Sequence, residues 1–314
     1  MKVYTDLKSM PIFRHPIITI GTFDGVHQGH GKILQQLVEK AKAKKGESVV
    51  FTFFPHPRMV LFPHDTQLKL LTGQKEKIRL IESYGIDHLV VFPFTREFSR
   101  LTAVEFVRDI LVNQLHMKEL VIGYDHHFGR NREGSIKHLS EMGPIYGFQV
   151  EEIPASTIDE ITISSTKIRK AVLEGDMDSA RQFLGYPFEL TGMVVQGNKR
   201  GASLGFPTAN LSLLEPFKIV PGNGVYITQC EHKEKIYHGI MNIGHRPTVE
   251  KTDVVHLEVH LLDASLNLYG ELLRVKFLKR IRNEQKFSSL EELKAQIAND
   301  EKTARAYLNK LQPV

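Results

Sequence analysis

Apolar positions along the first 185 residues follow two alternating rhythms. Short apolar runs at Ile17–Ile20, 48–53, 88–92, 119–123 and 148–153 read as buried strands. Between and after them lie stretches with helical spacing. The first, 29–45, carries Ile33, Leu34, Leu37, Val38 and Ala41 on one stripe and stops at Gly46. A second opens with the capping box Thr102-x-x-Glu105 and runs to about Leu115. A third enters through Ile163-Ser-Ser-Thr-Lys-Ile-Arg169 and ends near Gly175, and a short one covers 176–184. Strands separated by helices predict a parallel sheet with right-handed crossovers. After Gly185-Tyr-Pro187 the rhythm changes to strands only, at 189–195, 224–231, 235–243, 254–263 and 272–281, with Gly, Pro and Asn turns between them. That pattern predicts an antiparallel barrel or sandwich. A last helix starts at Ser288 or Ser289, where Ser288-x-x-Glu291 forms another capping box. The reading gives two domains, 1–185 and 186–314.

Composition narrows the setting. At 314 residues the chain is long enough for two cores. A single cysteine, Cys230, excludes a disulfide framework and a multi-cysteine metal site and fits a reducing compartment. No apolar run approaches the roughly 18–20 residues needed to span a bilayer, and the N-terminus lacks a secretory apolar core. The expectation is a cytoplasmic protein without a membrane partner. A net charge of +5 admits nucleic acid but equally suits polyphosphate substrates. The densest basic run, Lys40 to Lys45, falls on the exposed face and last turn of the first helix, and no aromatic or RNA-module pattern accompanies it. No nucleic-acid partner is expected, and a monomer or weak homo-oligomer is.

Chemistry concentrates first at residues 17–30. The strand breaks at Gly21, passes Phe23-Asp24-Gly25, and delivers His27 and His30, with Gly29 between them, to a helix start. Free N–H groups and the helix dipole already attract anions there. Two added imidazoles make a nucleotide-phosphate cradle; taken alone, the pair also fits a surface helix start. Phe54-Pro-His56-Pro57 cannot continue a central strand and forms a rigid loop, either a lid over an aromatic substrate or a simple turn. Gly123-Tyr-Asp125-His-His-Phe-Gly129 is a glycine- and histidine-rich loop after a strand, suited to phosphate or flavin. His126 and His127 are adjacent and point apart, which disfavours a metal. Helix capping explains Ser164 and Ser165. It does not explain Lys167 and Arg169, which oppose the helix dipole unless an anion lies there.

In the second half, the glycine-rich stretch from Gly192 through Gly197, Gly201 and Gly205 to Pro207-Thr208-Ala-Asn210 lacks the Lys-Ser/Thr ending of a P-loop. Thr208 and Asn210, two apart, project to one side in extended backbone and offer hard oxygen ligands suited to Mg2+ shared with phosphates; a Pro-Thr-x-Asn turn is the plainer alternative. In 255–261 strict alternation puts Val255, Leu257, Val259 and Leu261 on a core face and Glu258 on the other, between His256 and His260.

These motifs together resemble a known family. Gly21-Thr-Phe-Asp-Gly-Val-His-Gln-Gly-His30 resembles the signature of HxGH nucleotidyltransferases, in the form found in bacterial bifunctional riboflavin kinase/FMN adenylyltransferases, or FAD synthetases. Pro207-Thr-Ala-Asn210 and Asn242-Ile-Gly-His-Arg-Pro-Thr248 resemble the family's riboflavin-kinase signatures. The resemblance implies a Rossmann-like α/β nucleotidyltransferase domain followed by an antiparallel β-barrel riboflavin-kinase domain with a C-terminal helix. It implies that riboflavin and ATP give FMN, and that FMN and ATP give FAD and pyrophosphate, with Mg2+ as cofactor. Residue by residue, it implies that His27 and His30 stabilise adenylyl transfer and that Gly21, Phe23, Asp24, Gly29 and Asp125 meet nucleotide. Ser164, Ser165, Thr166 and Arg169 would hold the ATP β- and γ-phosphates. Gly192, Gly197, Gly201, Gly205 and Pro207 would line the kinase nucleotide, Thr208 and Asn210 the metal, and Glu258 would be general base for the ribityl hydroxyl. Phe54, His56 and Arg274 are candidate flavin contacts. One departure stands out: Ala202 occupies the loop position where the family usually has arginine. One alternative is therefore an adenylyltransferase with an impaired kinase; a separate one is a flavin- or RNA-binding regulator on the same scaffold.

Overall fold

The computed structural model describes residues 1–65, 68–124, 126–154, 163–197, 205–245, 255–264 and 266–311. The chain forms two compact units, Met1–Ser165 and Thr166–Val314.

The first unit is built on a six-stranded parallel sheet of order β1-β4-β3-β2-β5-β6. Its strands are β1 (Lys2–Tyr4), β2 (Pro16–Ile20), β3 (Glu47–Phe54), β4 (His88–Pro93), β5 (Glu119–Gly123) and β6 (Gln149–Ile153). All five residues of β2 are buried. Ile17 packs with Leu34, Leu37 and Leu89 on one side of the sheet, and Ile18 with Phe51, Phe106 and Leu120 on the other. A strand covered on both faces has no polar side to show, hence its uninterrupted apolar run. Helix α1 (Gln28–Ala43) buries Ile33, Leu34, Leu37, Val38 and Ala41, the stripe expected from its spacing. Then follow α2 (Pro57–Leu61), α3 (Gln74–Glu82), α4 (Ala103–Glu105, continuing as a π-helix through Phe106–Val112) and α5 (Ile136–Tyr146).

The sheet order reverses at β2: the chain moves outward through β3 and β4, then returns to place β5 on the other side of β2. Open parallel sheets bind ligands at the carboxyl ends of strands flanking such a reversal. The β2–α1 turn stands at that place. At the opposite end of β5, the basic run of α1 is more than solvated. Lys40 and Lys44 both reach the buried Glu119 carboxylate at 3.1 Å, and Lys40 also pairs with Glu151.

Helix α6 (Ser165–Glu174) begins on the last residue of the first unit and continues into the second. Helix α7 (Met177–Leu184) follows, capped by Asp176, whose carboxylate accepts the Ser179 N–H at 3.0 Å. The second unit is otherwise a closed barrel of order β10-β11-β8-β7-β12-β9, all antiparallel around the described pairs. Its strands are β7 (Glu189–Val195), β8 (Ala209–Leu213), β9 (Gly224–His232), β10 (Lys235–His245), β11 (Val255–Leu261) and β12 (Leu272–Arg282). The C-terminal helix α8 (Leu290–Leu311) lays Ala304 and Leu308 on Val225, Ile227, Ile240 and Leu278 of the barrel. Arg282 pins it by pairing with the buried Asp300 at 2.8 Å. The predicted α/β unit, antiparallel barrel and closing helix are all present. Among the described residues no helix is long and apolar enough to cross a membrane.

Candidate active sites

In the first unit, the turn after β2 is strained and braced. Phe23 and Val26 have φ of 48° and 37°, and Gly25 has φ of 87°. Positive φ is costly for a β-branched residue such as valine. Asp24, 5% exposed, holds the turn: its carboxylate accepts the backbone N–H groups of Leu71 at 2.9 Å and Thr72 at 3.2 Å. The Thr72 hydroxyl in turn accepts the Gly25 N–H at 3.1 Å. Asp24 was expected to meet nucleotide; its carboxylate is engaged with the segment before α3.

That turn delivers His27 to the N-cap of α1. Its Nδ1 accepts the His30 backbone N–H at 3.4 Å, the bond a serine or asparagine cap would make. An accepting Nδ1 carries no proton, so the ring proton sits on Nε2 as a donor. The two imidazoles stack, with centroids 3.7 Å apart and planes 16° from parallel, and the edge of Phe23 meets His30 at 5.1 Å. The His30 Nδ1 is buried with no protein hydrogen-bond partner. A buried, unsatisfied ring nitrogen beside a helix start is what a ligand oxygen would complete. Burial, then the neighbouring His27 and Lys77, push the His30 imidazole well below its ordinary value.

Lys77 escaped the sequence reading. It lies on the buried side of α3, 7% exposed, and its ammonium donates to the Thr22 carbonyl at 3.3 Å, the Phe53 carbonyl at 3.3 Å and the Thr52 hydroxyl at 3.4 Å. It thus ties the carboxyl ends of β2 and β3 together and brings a positive charge to the imidazole pair. The available signal was a lysine four residues before the buried Ile81, in line with the helix's apolar stripe.

Of the other candidates, Ser165 donates its hydroxyl to the Asp24 carbonyl at 3.0 Å, which joins the start of α6 to the histidine turn. Gly21 packs under Phe23, and Gly29 is buried in the first turn of α1. Phe54 ends β3 and is exposed, and His56 caps α2 by accepting the Arg58 N–H at 3.2 Å; both stand at the carboxyl edge of the sheet. Ser164 is half-buried beside Ser165. Thr166 and Arg169 belong to the second unit. Asp125 lies outside the described residues.

In the second unit, strand register does the assembling. On β11, Leu257 and Val259 are buried and Glu258 between them is half-buried. Glu258 stands directly opposite Asn210 of β8 and directly opposite Asn242 of β10. Directly opposed antiparallel residues share a face, with Cβ atoms about 4.5–5.5 Å apart. The carboxylate is therefore flanked by two carboxamides across three neighbouring strands. The Pro207-Thr208-Ala-Asn210 segment is tied to the same strand: His260 Nδ1 and the Pro207 carbonyl are 2.8 Å apart, and Phe206 meets the His260 ring edge-on at 5.6 Å. A side chain at Gly197 would collide with the Asn210 carboxamide. Gly205 turns the chain with φ of 90°.

Two candidates have other visible tasks. Gly192 lies within β7, where a Cβ would come 2.9 Å from the Ser212 carbonyl, so the strand needs glycine for close packing. Arg274 stands opposite Glu231 and is ion-paired with it. Gly201 and Ala202 fall outside the described residues. Among the described residues no cluster of three or more His, Cys, Asp or Glu side chains could cage a metal. The hydroxyl and carboxamide of Thr208 and Asn210, with Glu258 opposite, instead suit a hard cation held mostly by phosphates and water.

Comparison with known proteins finds relatives of both domains. The family model for FAD synthetase matches residues 10–167 and that for riboflavin kinase matches residues 184–308. A bifunctional riboflavin kinase/FMN adenylyltransferase of Escherichia coli (strain K12) is 41% identical over 298 residues, covering 95% of this chain and 94% of its own. The protein of the same name from Listeria monocytogenes is 36% identical over 296 residues, covering 94% and 93%. Among solved structures, "Crystal Structure of Macrolide-efflux Protein from Streptococcus pneumoniae" superposes with a TM-score of 0.88 at 30% identity, covering 97% of this chain and 98% of that one.

Proposed function

Because the chain belongs to the bifunctional riboflavin kinase/FMN adenylyltransferase family, and so makes FMN from riboflavin and FAD from FMN, we propose how its own residues carry the two reactions. Adenylyl transfer is assigned to residues 1–185 and phosphorylation to 186–314.

In adenylyl transfer the FMN phosphate is already a nucleophile at neutral pH and needs no base. Its oxygen attacks the α-phosphorus of ATP, the bond from that phosphorus to the bridging oxygen breaks, and pyrophosphate leaves. The chain's work is alignment and charge stabilisation. His27 donates from Nε2 toward the oxygens of the α-phosphoryl group, and His30 supplies the second ring. The first amides of α1 add their dipole. Ser164 and Ser165, in the same unit as the histidines, hold the leaving phosphates. The observation that carries this reading is the stacked imidazole pair with an unsatisfied buried Nδ1 at the helix start.

In phosphorylation Glu258 takes the proton of the ribityl hydroxyl as that oxygen attacks the γ-phosphorus and ADP leaves. Thr208 and Asn210 would hold Mg2+, which supplies charge neutralisation on the ATP phosphates. The support is the register that sets Glu258 beside Asn210.

Separate assays with riboflavin and with FMN test the assignment. His30→Ala lowers FAD formation from FMN by about 10²-fold or more and leaves phosphorylation near parental. Glu258→Ala abolishes FMN formation yet still converts supplied FMN to FAD. A proportional loss of both activities in either folded variant refutes the assignment of the two sites.

A further inference from the structure

Lys77 is a buried charge that the adenylyl-transfer scheme above leaves unused. It lies 7% exposed on the side of α3 that also buries Ile81. Desolvating an ammonium is costly, and an apolar side chain would serve packing alone. The lysine instead directs its donors to one place. The Thr22 carbonyl receives both the ammonium and the Thr52 hydroxyl, each at 3.3 Å, and the Phe53 carbonyl receives the ammonium at 3.3 Å.

Thr22 opens the turn that delivers the histidines. The next residue, Phe23, has φ of 48° and sets its ring edge 5.1 Å from His30. Movement of the Thr22 carbonyl therefore passes to the ring that backs the imidazole pair. That pair needs uncharged rings. His27 caps α1 only while its Nδ1 is unprotonated, and at a centroid separation of 3.7 Å two imidazolium charges would force the stack apart. The charged and titratable groups acting on His30 are His27 from its own helix start and Lys77 from α3. Asp24, the carboxylate of the turn, is committed to the Leu71 and Thr72 amides. A fixed cation here opposes protonation of His30, and the neutral ring can still donate one proton from Nδ1 to a phosphate oxygen.

We propose that Lys77 is a positioning residue for adenylyl transfer, its ammonium anchoring the histidine turn and keeping the stacked imidazoles uncharged and aligned on the reacting phosphate. The proposal rests on His27 and His30 acting at the α-phosphoryl group.

The test uses the full-length protein with Lys77→Met, Lys77→Gln and His30→Ala, following FAD formation from FMN between about pH 5.5 and 8.5. Riboflavin phosphorylation is the fold control for the second unit, and KM for ATP and FMN is that for the first. At pH 8 Lys77→Met lowers kcat for FAD formation by about 10–10²-fold with both KM values within about threefold, because alignment rather than binding is lost. Lys77→Gln keeps a donor for the carbonyls and recovers most of that loss. In both variants the acid limb of kcat/KM moves up toward 6.5, since neither has the cation that keeps His30 unprotonated. The substrate phosphates titrate alike in every preparation, so the displacement belongs to the protein. An acid limb unmoved in Lys77→Gln overturns the proposal, and so does a Lys77→Met protein with parental kcat. Either result beside an inactive His30→Ala leaves the imidazole assignment standing. A His30→Ala protein with parental FAD formation overturns that assignment and this proposal with it.

Discussion

Asp24 offers the sharpest separation between a brace and a ligand contact. Its buried carboxylate takes the Leu71 and Thr72 amides, and those amides belong to a segment 47 and 48 positions away in the chain. Removing the carboxylate in Asp24→Ala leaves two buried donors without an acceptor. At about 1–3 kcal/mol for each orphaned group, the first unit loses about 2–6 kcal/mol. For a unit of this size, each kcal/mol lowers the melting midpoint by about 2–4 °C, so a fall near 10 °C is the central expectation. Asp24→Asn keeps the shape and one accepting oxygen and falls between the variant and the parent. Calorimetry reads the midpoint, and amide hydrogen exchange at Leu71 and Thr72 reads the local opening. The reasoning is refuted if Asp24→Ala melts at the parental temperature while the KM for ATP in FAD formation rises. That outcome would make Asp24 a nucleotide contact.

Three further outcomes are expected. Lys77→Met removes a positive charge from beside His30, so the His30 titration followed by NMR moves up toward 6.5 and FAD formation falls; an unmoved titration would sink the electrostatic link. Burial is the leading cause that lowers both His30 and His88, so the folded protein binds fewer protons than the unfolded chain below pH 6.5. Their stabilising contribution is fully present above pH 6.5 and declines as pH falls through that value toward the folded pKa values; a melting midpoint that is flat between pH 7.5 and 5.5 would contradict this. Burial pushes the Cys230 thiol up to about 12, so a thiol reagent at pH 8 labels the protein only after denaturant is added.

The β2–α1 unit was legible in the sequence because each signal there is local. An apolar run, a glycine and a helical stripe follow one another within a few turns, and both histidines land where that order puts them. What escaped depends on partners far away. Strand β8 hid inside Pro-Thr-Ala-Asn-Leu, which reads as a turn until β7 and β11 pair with it. Strand β1 has three residues and is defined by pairing with β4. Helix α5 contains Pro144 after Gly143, which breaks the expected pattern. Helix α3 offers a stripe so mixed with charge that a buried lysine on it left little trace. The motifs named both Asn242 and Glu258, but only the barrel register makes them neighbours.

The histidine that starts α1 carries a consequence for anyone who would engineer this protein. Position 27 serves two masters: it caps a helix and, in the proposed adenylyl transfer, faces the reacting phosphate. Asparagine is a better helix terminator and has no imidazole. A campaign selecting only for heat resistance is therefore drawn toward a substitution that yields a sturdier catalyst of phosphorylation and a silent one of adenylylation.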